Sequence, residues 1–163
     1  MTLVTSLVHS KLDYCNVVYS GLPACDLRRL QSVLNSAVRL ITGARKFDDV
    51  TSLLQEYHWL PIAERIDYKL CMLIYRCLNS SAPAYLADSV RLTSSLNRRS
   101  TLRSASTSTL DIPRTLTAYG DRAFVVACPR AWNCLPANVR SAKTVSIFRK
   151  LLKTHLFRRA YCD

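Results

Sequence analysis

Glycine is scarce in this chain, three residues in 163, which argues against a β-sandwich or a nucleotide-binding α/β fold, both of which need glycine at turns. No apolar run reaches the roughly 18 residues that a membrane span requires. The N-terminus lacks the basic-then-apolar order of a signal peptide, and Met1 opens directly into helix-like sequence, so the chain is expected to be a fragment of something longer. No Cys-x-x-Cys pair occurs among the seven cysteines (Cys15, Cys25, Cys71, Cys77, Cys128, Cys134, Cys162), which indicates neither a disulfide framework nor a zinc ribbon. They are expected to be reduced, mostly buried thiols of an intracellular protein, nuclear or cytoplasmic. Cys71 and Cys77, like Cys128 and Cys134, are six apart and point to different sides of a helix. His9, His58 and His155 lie far from both pairs, so no metal site is expected.

Catalytic patterns are missing as well. The chain has no glycine-rich phosphate loop, no G-x-S-x-G and no H-E-x-x-H. Phosphodiester chemistry holds metals with clustered carboxylates. The one acidic pair, Asp48-Asp49, has no apolar strand before it and no evident distant third carboxylate. One of the two is expected to cap a helix beginning at Val50. The chain acting alone is therefore expected to be no enzyme, with no cofactor and no small-molecule substrate.

What is present is helical periodicity. Ile62, Ile66, Leu70, Leu73, Ile74 and Cys77 recur at three- and four-residue steps and define a buried helix face. His58-Trp59-Leu60-Pro61 forms a corner before it, with Trp59 filling the bend and His58 in a structural role. Asn79 to Pro83 stops the helix. Upstream, Thr2 to Tyr19 reads as one helix ending at Ser20-Gly21. Leu27, Leu30, Leu34, Ala37, Val38 and Ile41 form a near-heptad seam closed by Gly43. These two make a helical hairpin against which the following pair can pack. Burying about a dozen aliphatic side chains at roughly 1.5–3 kcal/mol each offsets much of the ordering cost.

Pro83 to Val90 reads as a short helix, with Tyr85 and Leu86 tucked under the core. Residues 91–108 are rich in Ser, Thr and Arg without an apolar period, and read as a linker. Leu110 to Pro113 and Ala123 to Ala127 either pair as a small two-stranded ribbon, or the second forms a helix from Asp121; Pro129 ends it in both cases. A terminal helix runs from Lys143 to Tyr161, with Val145, Phe148, Leu151, Leu152, His155 and Leu156 on one face. The expected fold class is mainly α: helical hairpins packed as a small bundle, a basic linker, a short β ribbon and an amphipathic C-terminal helix. The expected divisions are a helical domain over 1–90, the linker over 91–108 and a basic segment over 109–163.

Charge is partitioned along the chain. Residues 1–90 carry 9 Lys+Arg against 8 Asp+Glu, whereas residues 91–163 carry 14 against 3, which accounts for 11 of the 12 excess positive charges. Such a block suits a polyanion, nucleic acid above all; an anionic membrane surface and a merely solvated face are the alternatives. The candidate contacts are Arg98, Arg99, Arg103, Arg114, Arg122, Arg130, Lys143, Arg149, Lys150, Lys153, Arg158 and Arg159. The terminal helix has no acid in its first turn, where a phosphate would complement the helix dipole.

Several strings carry a family likeness: Ser10-Lys11-Leu12-Asp13-Tyr14-Cys15-Asn16, Gly21-Leu22-Pro23, Asn35-Ser36-Ala37-Val38-Arg39-Leu40, and His58-Trp59-Leu60-Pro61 with Arg65-Ile66-Asp67-Tyr68-Lys69. Downstream follow Ala82-Pro83-Ala84-Tyr85-Leu86, Arg99-Ser100-Thr101-Leu102-Arg103-Ser104, Tyr119-Gly120-Asp121-Arg122-Ala123-Phe124, Pro129-Arg130-Ala131-Trp132-Asn133 and Phe148 to Phe157. In this order, over nearly the whole chain, they resemble the region after the polymerase domain in reverse transcriptases of non-LTR retrotransposons, the long interspersed elements of the Jockey and chicken-repeat group. Cys128 departs from the small residue, such as Ala, expected there. The resemblance implies that the catalytic aspartates lie upstream in a parent RNA-directed DNA polymerase with an endonuclease, so no catalytic residue carries over. It also implies that residues 1–79 continue a thumb-like region holding template and primer. The partners it implies are RNA or an RNA–DNA hybrid, bound with little sequence specificity, and the polymerase domain itself.

Overall fold

The computed structural model describes residues 2–93 and 109–162, and these are mainly helical. In chain order come α1 (Thr2–Asp13), a 3-10 turn (Asn16–Tyr19), α2 (Ala24–Thr42), α3 (Val50–Glu56), α4 (Ile62–Leu78), α5 (Ala84–Ala87), α6 (Ala118–Asp121), α7 (Phe124–Asn133), α8 (Ala137–Arg140) and α9 (Val145–Tyr161). The chain forms two compact units, Met1–Ile66 with Thr154–Asp163, and Asp67–Lys153.

In the first unit, the helix expected over Thr2 to Tyr19 breaks after Asp13. Cys15 takes a left-handed backbone (φ 50), Asn16 is buried, and the chain tightens into the 3-10 turn. The string Asn16-Val17-Val18-Tyr19 has weak helix propensity and does not resist that break. Helix α2 ends as read: Gly43 at φ 70 donates its N–H to the Arg39 carbonyl. Leu34, Ala37 and Val38 of its seam are buried, and α1 and α3 both pack on α2. Asp49 caps α3, accepting from the Thr51 and Ser52 N–H groups at 3.1 Å each.

The corner before α4 is built as its residues predict. His58 sits at φ 52 with its ring edge-on to Phe157 at 5.6 Å, a packing role. Trp59 is buried, and its carbonyl accepts from the Tyr161 hydroxyl at 2.6 Å. The first N–H of α4, on Ile62, has no partner inside the helix; Gln31 of α2 supplies one through Oε1 at 2.9 Å.

In the second unit α4 is buried more widely than a single stripe. Leu70, Cys71, Met72, Ile74, Tyr75 and Cys77 are all buried, together with Val126, Cys128, Trp132, Val139, Phe148 and Leu152. The β ribbon between Leu110–Pro113 and Ala123–Ala127 does not form. Phe124 to Ala127 open α7, which continues through Pro129 instead of ending there. An interior proline costs a helix about 3 kcal/mol. Burying Val126, Ala127, Cys128 and Trp132 on the same helix offsets it, at roughly 1.5–3 kcal/mol for each large side chain.

Leu110 pairs instead with Leu92, in an isolated antiparallel bridge. Thr93 N–H donates to the Thr109 carbonyl at 3.0 Å and Asp111 N–H to the Arg91 carbonyl at 2.9 Å. The outward N–H and C=O of Leu110 are both taken by the Asn133 side-chain amide at 2.9 Å, which leaves them no strand to pair with. The bridge holds the first residues of the expected linker; residues 94–108, with Arg98, Arg99 and Arg103, lie outside the described residues. Tyr85 is not tucked under the core but 73% exposed.

Candidate nucleic-acid interface

Helix α9 forms where its periodicity places it. Thr144 precedes it, and its Oγ1 accepts from the Ile147 N–H at 3.3 Å, serving the open end that carries no acid. Phe148, Leu152 and Leu156, spaced by four, are each fully buried. Leu151 and His155 of the expected face are half-buried, and Val145 is exposed. Phe148 stacks on Tyr75 at 4.3 Å between ring centres and lies 5.8 Å from Trp132; the Tyr75 hydroxyl donates to the Ala142 carbonyl at 2.9 Å. These contacts fix the rotation of the first half of α9. In consequence Arg149, Lys150 and Lys153, adjacent on a helical surface, are exposed, and Lys143 is exposed just before the helix.

The remaining candidates divide by what holds them. Arg130 is paired: its Nη2 donates to Asp121 Oδ1 at 2.7 Å, and Thr115 Oγ1 donates to the same oxygen. The bonds from Thr115 and Arg130 hold the Asp121 carboxyl below its ordinary range. Arg122 is half-buried and Arg114 exposed. Arg158 and Arg159 belong to the first unit; Arg158 is exposed, while Arg159 lies 3.6 Å from Glu64. Two of the expected phosphate contacts, Arg130 and Arg159, thus have a carboxylate of this chain beside them. The structure brings Arg149, Lys150 and Lys153 together on one helix.

Sequence reading missed the loop around Asp121. Thr115 lies against Gly120, where an added Cβ would meet its side chain at 3.1 Å, and it also bonds Asp121, so residues 115–121 close on themselves. Thr117 Oγ1 accepts from the Gly120 N–H at 3.0 Å inside this loop. Its tip, Leu116 to Tyr119, is exposed throughout, with Leu116 at 103% and Tyr119 at 82%. The Thr117-x-x-Gly120 spacing was the one signal in the sequence for this turn.

Both carboxylates of the Asp48-Asp49 pair accept hydrogen bonds from backbone N–H groups nearby in sequence. Asp48 Oδ2 accepts from the Arg45 N–H at 2.6 Å, and the Asp49 carboxyl is held below its ordinary range by the Thr51 and Ser52 N–H groups that it caps. Among the described residues no group of three or more His, Cys, Asp or Glu is placed to hold a metal ion. None of their helices is long and apolar enough to cross a membrane. Comparison with protein-family models, with curated proteins and with solved structures finds no match to this chain.

Proposed function

We propose that this chain is a non-catalytic nucleic-acid-holding module, the portion downstream of the polymerase in a non-LTR retrotransposon reverse transcriptase. The observation that carries the reading is the charge partition, 14 basic against 3 acidic residues in 91–163, with Arg149, Lys150 and Lys153 exposed side by side on α9. The ordered family likeness of the strings from Ser10 to Phe157 supports the same assignment. In this reading the cations contact the phosphates of RNA or an RNA–DNA hybrid. Affinity then comes from counterion release and carries little sequence information. Binding of the full chain to a mixed-sequence duplex and to a hairpin RNA, at about 50 and 200 mM salt, tests it. Affinity that falls steeply with salt and ignores sequence is expected. Binding that ignores salt, or none at the lower concentration, overturns the proposal.

A second reading, a helical domain that docks on a polymerase body or on a second copy, is favoured by one feature. Leu3 (81% exposed) and Leu7 (64%) stand one turn apart on the outer side of α1. Sedimentation separates the two readings: a monomer that binds RNA supports the first, and a concentration-dependent oligomer that does not bind RNA supports the second.

A further inference from the structure

We infer that the loop closed by Thr115 and Asp121 is a single-strand-binding element, in which Tyr119 stacks on an unpaired nucleobase and Arg114 contacts the adjoining phosphate. The inference rests on the nucleic-acid reading above and names a ligand feature that α9 does not supply. Four successive exposed residues, Leu116 to Tyr119, include one large aliphatic side chain and one aromatic ring almost wholly in solvent. An apolar tip of this kind on a mobile tail would need no explanation. This one is fixed from beneath.

Thr115 and Arg130 both donate to one oxygen of Asp121, Thr117 holds the Gly120 N–H, and Gly120 leaves Thr115 just enough room to pack. Arg130 is anchored in turn by its place on α7, whose neighbours Pro129 and Trp132 are buried. The ring of Tyr119 is thus presented on a pre-ordered turn, which lowers the ordering cost of binding.

Charge selects the occupant. Residues 109–153, the described stretch of the same unit that carries the tip, hold eight Lys+Arg against two Asp+Glu, and Arg114 is exposed one residue before the loop closes. An exposed aromatic ring five positions from an exposed guanidinium matches the face of a base together with a nearby phosphate; a duplex keeps its internal bases stacked on one another and leaves the ring only the helix ends. Arg130 is committed to Asp121 and Arg122 is half-buried, so the exposed Arg114 is assigned the phosphate contact at this position.

The test uses the full chain, an unstructured single-stranded RNA and a blunt, fully paired RNA duplex. Tyr119→Ala is expected to weaken binding of the single strand about tenfold and to leave the duplex within about twofold, in line with the usual worth of one base–aromatic stack. Tyr119→Trp should keep the affinity, with an indole emission quenched by the single strand and not by the duplex. The inference is overturned if Tyr119→Ala affects both ligands equally or neither. It is equally overturned if the substitution abolishes self-association instead, since the tip is then a protein contact. Reversal of Arg149 and Lys153 to Glu separates this from the parent reading: if it still abolishes duplex binding when Tyr119→Ala does nothing, only the loop assignment fails. Absence of binding to either RNA by the unaltered chain at low salt removes both.

Discussion

The guanidinium of Arg65 donates twice to a single carboxylate oxygen of Asp13, from Nε at 3.1 Å and from Nη2 at 2.7 Å, and so ties the end of α1 to the first turns of α4. The Arg65 side chain is 13% exposed and that of Asp13 27%, so the pair is far less screened than an ion pair at the surface. Removing the carboxylate leaves a nearly buried cation without this partner. Asp13→Ala is expected to cost about 2 kcal/mol, which for a chain of this size lowers the melting temperature by about 4–8 °C. A double-mutant cycle with Arg65→Met checks the origin of the loss. If the two single changes simply add, the pair is not what holds the helices.

Next to this pair lies a pH response. His9 packs edge-on against Trp59 at 4.2 Å, and its Nε2 is buried without a hydrogen-bond partner. Burial, and then the Arg65 charge, lower its pKa below the ordinary 6.5, while Asp13 pulls the other way. Well above pH 6.5 the imidazole is neutral in both folded and unfolded chains and contributes nothing to the difference. As pH falls through 6.5 the unfolded chain takes up the proton first, so the folded state loses stability until His9 also titrates. The melting temperature should therefore drop between pH 7.5 and 5, and His9→Phe should remove part of that drop. An unchanged pH profile in the variant rejects His9 as its source.

Long elements with a strong period were legible in the sequence, and short ones were not. Helices α2, α4 and α9 lie where Leu34, Ile66 and Phe148 repeat at helical spacing, because burial of one face dominates every local preference there. The caps at Gly43 and Asp49 were legible because each answers a fixed need of a helix end. Strand and helix both stayed open for Ala123–Ala127 because β-branched Val125 and Val126 describe only a packing preference, and the core around Trp132 decides for the helix. The Leu92–Leu110 bridge depends on a partner eighteen residues away and on the amide of Asn133, neither of which has a local signature. Of the candidate site, the basic surface of α9 was readable from its period. The pairing of Arg130 with Asp121 and of Arg159 with Glu64 was not, since it arises from tertiary placement.

Thiol chemistry gives a test that separates the two cysteine classes. The sequence predicts mostly buried thiols; only three are buried (Cys71, Cys77, Cys128), while Cys15, Cys25, Cys134 and Cys162 are exposed. Burial pushes the Cys77 and Cys128 thiols up, and Cys77 pushes Cys128 further. Since the thiolate is the reactive form, both burial and pKa slow these residues. A chromogenic disulfide reagent at neutral pH should count four fast thiols in the native chain and seven in denaturant. Fast reaction at Cys128 in the folded protein contradicts the packing of α7.

The two environments found for the basic residues predict different salt responses. A cation that meets a phosphate releases about 0.9 counterions on a duplex, so its removal lowers the slope of log affinity against log salt by about that amount. Arg149 and Lys153 are exposed on α9, and each change to Ala is expected to reduce the slope by nearly 1 while leaving the melting temperature almost unmoved. Arg130 already has the Asp121 carboxylate at 2.7 Å and is expected to release little counterion on binding. Arg130→Ala should leave the slope unchanged and loosen the loop that Thr115 and Asp121 close, seen as faster exchange of the Gly120 amide. Equal slopes for the unaltered chain and the Arg149 and Lys153 variants would place the phosphate contacts elsewhere than on α9.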